Sequence, residues 1–378
     1  MKQSNSRWAV NLTALVLAAG LLMGLLTGCF GLIGPKQNND HTGIFYVTSE
    51  GTIDGYKCKK EELPANLVIP DKIGNKVITG IGISAFSGCT GLTSLDLSAC
   101  TSLTEINRNA FSGCTGLTEV KLPASLTAIG GFSGCTGLTS IDLSGCTSLT
   151  EIDEYAFKGC TGLTEVKLPA SLTKIGGFSG CTGLTSIDLS GCTSLNEIGK
   201  YAFDGCTGLT EVKLPSSLTA ISGFSDCTGL TSIDLSGCTS LTKIGSFAFS
   251  GCTGLTEVKL PASLTRIDYY AFRDCPIETL YINCNIEDSI INNLTNAASV
   301  KEHLKNLKLG EEVRTIGRDA FDGCTGLTSA VFADTSSWKV YNNYDYSDAV
   351  PTSIHVDNTA TAALYLRETY VDKYWKKN

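Results

Sequence analysis

Histidine is nearly missing from this chain of 378 residues: only His41, His303 and His355 occur, in a tail, a distended stretch and the C-terminal segment. So few imidazoles, so widely spread, offer no nucleophile–base pair and no metal-ligand cluster along most of the chain. No G-x-S-x-G, H-E-x-x-H, phosphate-binding Walker loop, dinucleotide glycine fingerprint or C-x-x-C occurs either. Cations are outnumbered, 29 Lys and Arg against 37 Asp and Glu, for a formal charge of −8. That balance removes any electrostatic pull toward nucleic acid. Past residue 28, no run approaches the roughly eighteen apolar residues of a membrane-spanning helix. Catalytic, cofactor and metal sites are therefore expected to be absent, and the chain is expected not to be an enzyme.

What the sequence has in abundance is itself. The phrase FSGCTGLTEVKLPASLTAI returns with small changes from residue 86 to 332. Its cysteines fall at Cys89, Cys114, Cys135, Cys160, Cys181, Cys206, Cys227 and Cys252, at spacings alternating between 25 and 21. Self-similarity at such a period marks a solenoid, because one repeat cannot bury its own apolar face. Ile141, Asp142 and Leu143 alternate with the period of a half-buried strand. Phe157, Cys160, Leu163, Val166, Leu168, Leu172 and Ile175 supply one inward layer, and strand centres recur from Asp96 through Lys121 to Val331. The shorter coils lose residues between apolar positions, so loops absorb the change.

Leu138 to Leu149 resembles the leucine-rich-repeat pattern L-x-x-L-x-L-x-x-N/C. The phrases AFSGC, LTEVKLP and SLTAIG together resemble the BspA-like class of bacterial leucine-rich-repeat surface proteins, over 44–332. The resemblance implies an α/β-type repeat solenoid: a right-handed coil with a parallel β-sheet of about eleven short strands, a mostly irregular convex side and a C-terminal cap. It also implies a cell-surface protein of the adhesion and host-interaction type. Two departures stand out, the regular 25/21 alternation and the stretched coils near 276–309.

The first residues read as an export signal: Lys2 and Arg7, an apolar run from Trp8 through Leu26, then Gly28-Cys29. Leu26-Thr27-Gly28-Cys29 resembles a bacterial lipoprotein processing box, which implies cleavage before Cys29 and lipid on its thiol. The expected organisation is a signal peptide over 1–28, a tether over 29–43 rich in Gly, Pro and amides, the repeats over 44–332, and a cap with a terminal helix over 333–378. In that cap Asn358-Thr359 is the helix start, and Ala362, Leu366, Tyr370 and Tyr374 share one helical face. The expected location is the bacterial cell envelope, lipid-anchored on the outer surface.

Seventeen cysteines in an exported chain invite a disulfide reading. In a ladder, however, each cysteine has two equivalent neighbours, so no unique pairing is specified. They read as small buried apolar groups, one per coil.

Two outward rows compete as a binding surface. Asp and Lys alternate on successive strands from Asp96 to Lys259, a row that neutralises itself. Before the Ala-Phe pair of the longer coils stand Tyr155, Tyr201, Phe247 and Tyr270, with Asn109 and Asp319 at the two ends, and Tyr281 is the first aromatic on the strand face. These five are the candidate partner contacts; the plainer alternative is that each ring covers its own loop. The expected partner is a protein or glycan on a host or neighbouring cell, with the membrane reached through Cys29 and with no nucleic acid or small-molecule substrate. The competing expectation is a periplasmic-side scaffold that binds other envelope proteins.

Overall fold

Apolar side chains that recur once per coil meet their equivalents in the next coil, and the fold follows from those columns. The computed structural model describes residues 43–377 apart from 288–289, 291–292, 295–297, 336–337 and 349–353. Phe86, Phe111, Phe132, Phe157, Phe178, Phe203, Phe224, Phe249 and Phe272 stack in one file, with centroids 5.1–5.6 Å apart and planes within 4–19° of parallel. That spacing is set by the rise of the coil, slightly more than a strand separation. Leu, Ile and Cys columns run beside it, and all belong to one continuous core. The solenoid makes about eleven turns with little helix.

Strands form at every expected centre, from Ser94–Asp96 and Glu119–Lys121 to Ser329–Phe332. They do not form one sheet. Ladder hydrogen bonds join each Asp strand to the Lys strand after it, as in Ser140–Asp142 with Glu165–Lys167, and stop before the next Asp strand. Only from Ser232–Asp234 onward do five strands run unbroken. The seams show in the packing: Val120, Val166, Val212 and Leu168 are half-buried, whereas Val258 inside the five-stranded sheet is fully buried. Val166 and Leu168 are thus shallower than their place in the expected inward layer.

The unbroken sheet of eleven strands lies elsewhere, built mostly from two-residue strands such as Glu105–Ile106, Ala128–Ile129, Glu151–Ile152 and Lys174–Ile175. All its pairings are parallel except the first, where Phe45–Val47 meets Thr52–Tyr56 antiparallel and starts the stack. From Gly116 to Gly254 the glycine of each CTGL phrase is dictated by close approach. At Gly183 a Cβ would stand 2.6 Å from the carbonyl oxygen of Thr161 in the coil before.

The buried thiols of the repeat are free, and eight of them tie one coil to the next. Cys114, Cys135, Cys160, Cys181, Cys206, Cys227, Cys252 and Cys275 donate S–H to the phenylalanine carbonyl of the preceding coil, at 3.0–3.3 Å. Burial pushes Cys160 and Cys206 up to about 12.

The C-terminal segment departs from expectation. A helix does start where expected, with the Asn358 side chain accepting from the Thr361 N–H at 2.9 Å. It runs only over Thr359–Leu364 before a wider turn at Tyr365–Thr369. Tyr374–Lys377 is a β-strand, antiparallel to both Thr315–Ile316 and Trp338–Tyr341, so Tyr374 does not extend the helical face. Pairing gives the exposed edge at Thr315–Ile316 its backbone partners and buries Trp375 against Phe332, Trp338 and Tyr370.

Candidate interaction surface

The charged strand face is occupied by its own turns. Each Asp of the row folds back on the serine two residues on: Asp142 Oδ1 accepts from the Ser144 N–H at 2.9 Å and from its hydroxyl at 2.5 Å. Asp96, Asp188 and Asp234 repeat the arrangement. Hydrogen bonds from Ser144 hold the Asp142 carboxyl below its ordinary range. The lysines turn mainly to a glutamate on their own strand, Lys121 to Glu119 at 3.2 Å and Lys167 to Glu165 at 3.3 Å. Cross-strand pairs occur at Lys213–Asp188, 4.0 Å, and Lys259–Asp234, 3.0 Å. Exposed pairs of this kind contribute about 0–1 kcal/mol each and leave little unsatisfied charge for a partner.

The aromatic row on the longer coils is different. Tyr201, Phe247 and Tyr270 are 49%, 47% and 56% exposed, and each sits at φ near +60°. Ser84, Asn109 and Asp319 adopt the same left-handed backbone at this position in other coils. Asn and Asp tolerate that conformation; a bulky ring raises the strain to about 1–3 kcal/mol. Half-exposed rings recover little of this by burial. Phe247 and Tyr270 stack on each other at 5.3 Å, and Arg273 lies 5.7 Å from the Tyr270 centroid. Tyr155 avoids the left-handed region; its N–H donates to Asp153 Oδ1 at 3.1 Å. Its ring carries Arg108 at 5.1 Å and Lys158 at 5.2 Å.

Tyr281 stands apart from that row, on the five-stranded sheet. Lys308 donates to its hydroxyl at 2.7 Å and lies 4.4 Å from its centroid, with Lys259 at 5.4 Å on the ring. Beside it a cavity of about 340 Å³ is lined by Leu260, Ile282, Leu309 and Val331. The five sequence candidates therefore divide: four along the longer coils and one on the opposite ladder. Cys29 lies outside the described residues.

Sequence reading missed Asp204. It lines a cavity of about 270 Å³ with Tyr201, Phe247 and Gly223, and accepts the Ser225 N–H at 3.0 Å. Burial lifts its carboxyl to about 6. The sequence carries little signal for it, since the same position varies among Ser112, Lys158, Ser250, Arg273 and Asp322 in other long coils. Among the described residues no three His, Cys, Asp or Glu side chains are grouped to hold a metal, and no helix is long and apolar enough to cross a membrane.

With the geometry in view, comparison with known proteins points one way. The sequence matches the family model for the BspA-type leucine-rich-repeat region (six copies) over 65–177, 130–237, 177–298 and 222–348. Comparison with curated proteins finds no match. Among solved structures it is similar to a leucine-rich repeat protein from Bacteroides ovatus, at 23% identity over 71% of this chain and 93% of that one, TM-score 0.28. It is similar to a leucine-rich cell surface protein from Faecalibacterium prausnitzii, at 19% identity over 80% and 96% of the two chains, TM-score 0.36. The pneumococcal vaccine antigen PcpA matches at 19% identity over 78% and 83%, TM-score 0.44.

Proposed function

The chain belongs to the BspA-type leucine-rich-repeat family, and from that premise we propose that it is a non-enzymatic, lipid-anchored surface protein presenting a rigid repeat array to a protein or glycan on a host or neighbouring cell. Residues 1–28 are removed on export, Cys29 carries the lipid, 29–43 tether the array, and 333–378 cap it. Solenoids of this kind serve as extended binding surfaces rather than as reaction sites. The observation that carries the reading is the aromatic row: Tyr201, Phe247 and Tyr270 are held half-exposed at a strained backbone position that folding alone would fill with Asn. Rings of that type anchor protein interfaces. Tyr155 and Tyr281 complete the contact set. The protein is expected to bind cells, matrix proteins or plasma proteins saturably; a flat response across such a panel, with the array unreachable on whole cells, sinks the proposal.

The self-paired strand face favours a second reading, a scaffold on the periplasmic side that binds envelope proteins. Protease added to intact cells separates the two. Cleavage of the array places it outside; protection places it inside.

A further inference from the structure

Tyr155 and Tyr201 are the same residue of the repeat, 46 positions apart, yet different charges stand beside them: Lys200 and Asp204 line the cavity at Tyr201. Two cations of the chain cover the Tyr155 ring, Arg108 and Lys158. Advancing each by the same 46 positions gives Glu154 and Asp204. Rings of Tyr155, Tyr270 and Tyr281 carry a cation of their own chain; among the described residues none lies over Tyr201.

Between Tyr201 and Phe247 runs a shorter coil that lacks the aromatic position, and the dent above it is the cavity of about 270 Å³. Its floor cannot be filled by a side chain. Gly223 sits at φ +78°, and a Cβ there would stand 2.6 Å from the Ala202 nitrogen. Asp204 forms one wall, held by the Ser225 N–H, and makes no ion pair among the described residues; Lys200 on the same wall makes none either. The left-handed backbone at Tyr201 and Phe247 keeps both rings at the rim.

We propose that this cavity binds a cationic side chain, Lys or Arg, from a basic segment of a protein partner, with Tyr201 and Phe247 offering ring faces and Asp204 the carboxylate. The proposal rests on the surface-binding reading above and names the partner's chemistry. Ring faces attract cations more strongly as water is excluded, and a carboxylate on one wall converts that attraction into a charge-assisted hydrogen bond. Arg108 over Tyr155, with its guanidinium 3.8 Å from Asp153, is the same arrangement already filled from within the chain. The overall charge of −8 suits a basic partner. Burial, with the Asp226 carboxylate nearby, raises Asp204 to about 6. Lys200 is the cation on its wall, and only an ionised Asp204 draws a second one, so binding weakens as pH falls through about 6.

The test titrates hexa-arginine peptide onto the full-length protein in mild detergent, with hexaglutamate as the control peptide. Tyr201→Ala and Asp204→Asn are each expected to weaken hexa-arginine binding about tenfold at pH 7.5. Tyr201→Phe should bind as the parent does, and Asp204→Asn should flatten the pH dependence. Circular dichroism and melting curves establish that each variant is folded. Parent-like binding by both Tyr201→Ala and Asp204→Asn overturns the proposal. So does an equal loss from Glu165→Gln or Glu211→Gln on the strand face, which would mean diffuse attraction. Cell or matrix binding that survives Asp204→Asn removes this pocket and leaves the surface-binding reading standing. Intact peptide binding in a protein that engages no cell or matrix component removes that reading alone.

Discussion

Cys181 fills a slot between coils and donates its S–H to the Phe157 carbonyl at 3.3 Å, so its side chain matters as volume and as a weak donor. Cys181→Ala is expected to cost about 1–2 kcal/mol, a sulfur's packing and one weak hydrogen bond. Cys181→Asp should cost several kcal/mol or abolish folding, because it buries an unpaired charge. Urea unfolding of both variants measures the difference, and equal, small effects would place the residue outside the core. Asp204 behaves in the opposite sense to the strand-face aspartates. Its folded-state carboxyl lies near 6 against an ordinary 3.8, raised first by burial, so folding favours its protonated form. The stability this confers is present below about pH 4 and is lost as pH rises through 6. Asp204→Asn should therefore raise the melting temperature at pH 7.5 and change it little at pH 4. A neutral-pH melting temperature equal to or below that of the parent would contradict the burial argument.

At the scale of elements, the ends of the stack hold the tightest constraints. Strand Tyr374–Lys377 pairs with two neighbours and lays Trp375 into the core, while Arg367 Nη1 donates to the Thr325 and Leu327 carbonyls at 2.9 and 3.0 Å. Trp375→Ala is expected to cost about 3–5 kcal/mol by leaving a cavity under the last coil. Hydrogen exchange should then accelerate first at Thr315–Ile316, whose edge the strand covers. Loss spread evenly along the coils would show that the cap is not a local lid. The helix start at Asn358 was legible because a cap has a local chemistry. The strand was not, because Tyr374-Trp375-Lys376-Lys377 becomes a strand only when an unpaired edge lies beside it.

For the whole molecule, columns of free thiols replace cross-links. Among the described residues fifteen buried cysteines are free, and stability comes from coil-on-coil contact. Denatured protein should titrate nearly all fifteen buried thiols, native protein few, and reductant should leave the melting temperature unchanged. A disulfide framework predicts the reverse, with a loss of about 2–5 kcal/mol on reduction. Burial explains the expected native resistance inside the array, since Cys160 and Cys206, raised to about 12, supply almost no thiolate at pH 8.

Periodicity alone determined that this chain is a solenoid and which columns of side chains point inward. Each of these depends on spacing along the chain, and spacing is written in the sequence. Which ladder runs unbroken was settled only in three dimensions. Two-residue strands such as Glu105–Ile106 are too short for alternation to register, and they become a sheet only across coils. Position in space also separated five similar aromatic residues into Tyr155, already covered by cations, Tyr281, stacked with lysines, and Tyr201, open beside Asp204. Sequence supplies the side chains of such a cavity, but the dent between them exists only where a shorter coil is stacked between two longer ones.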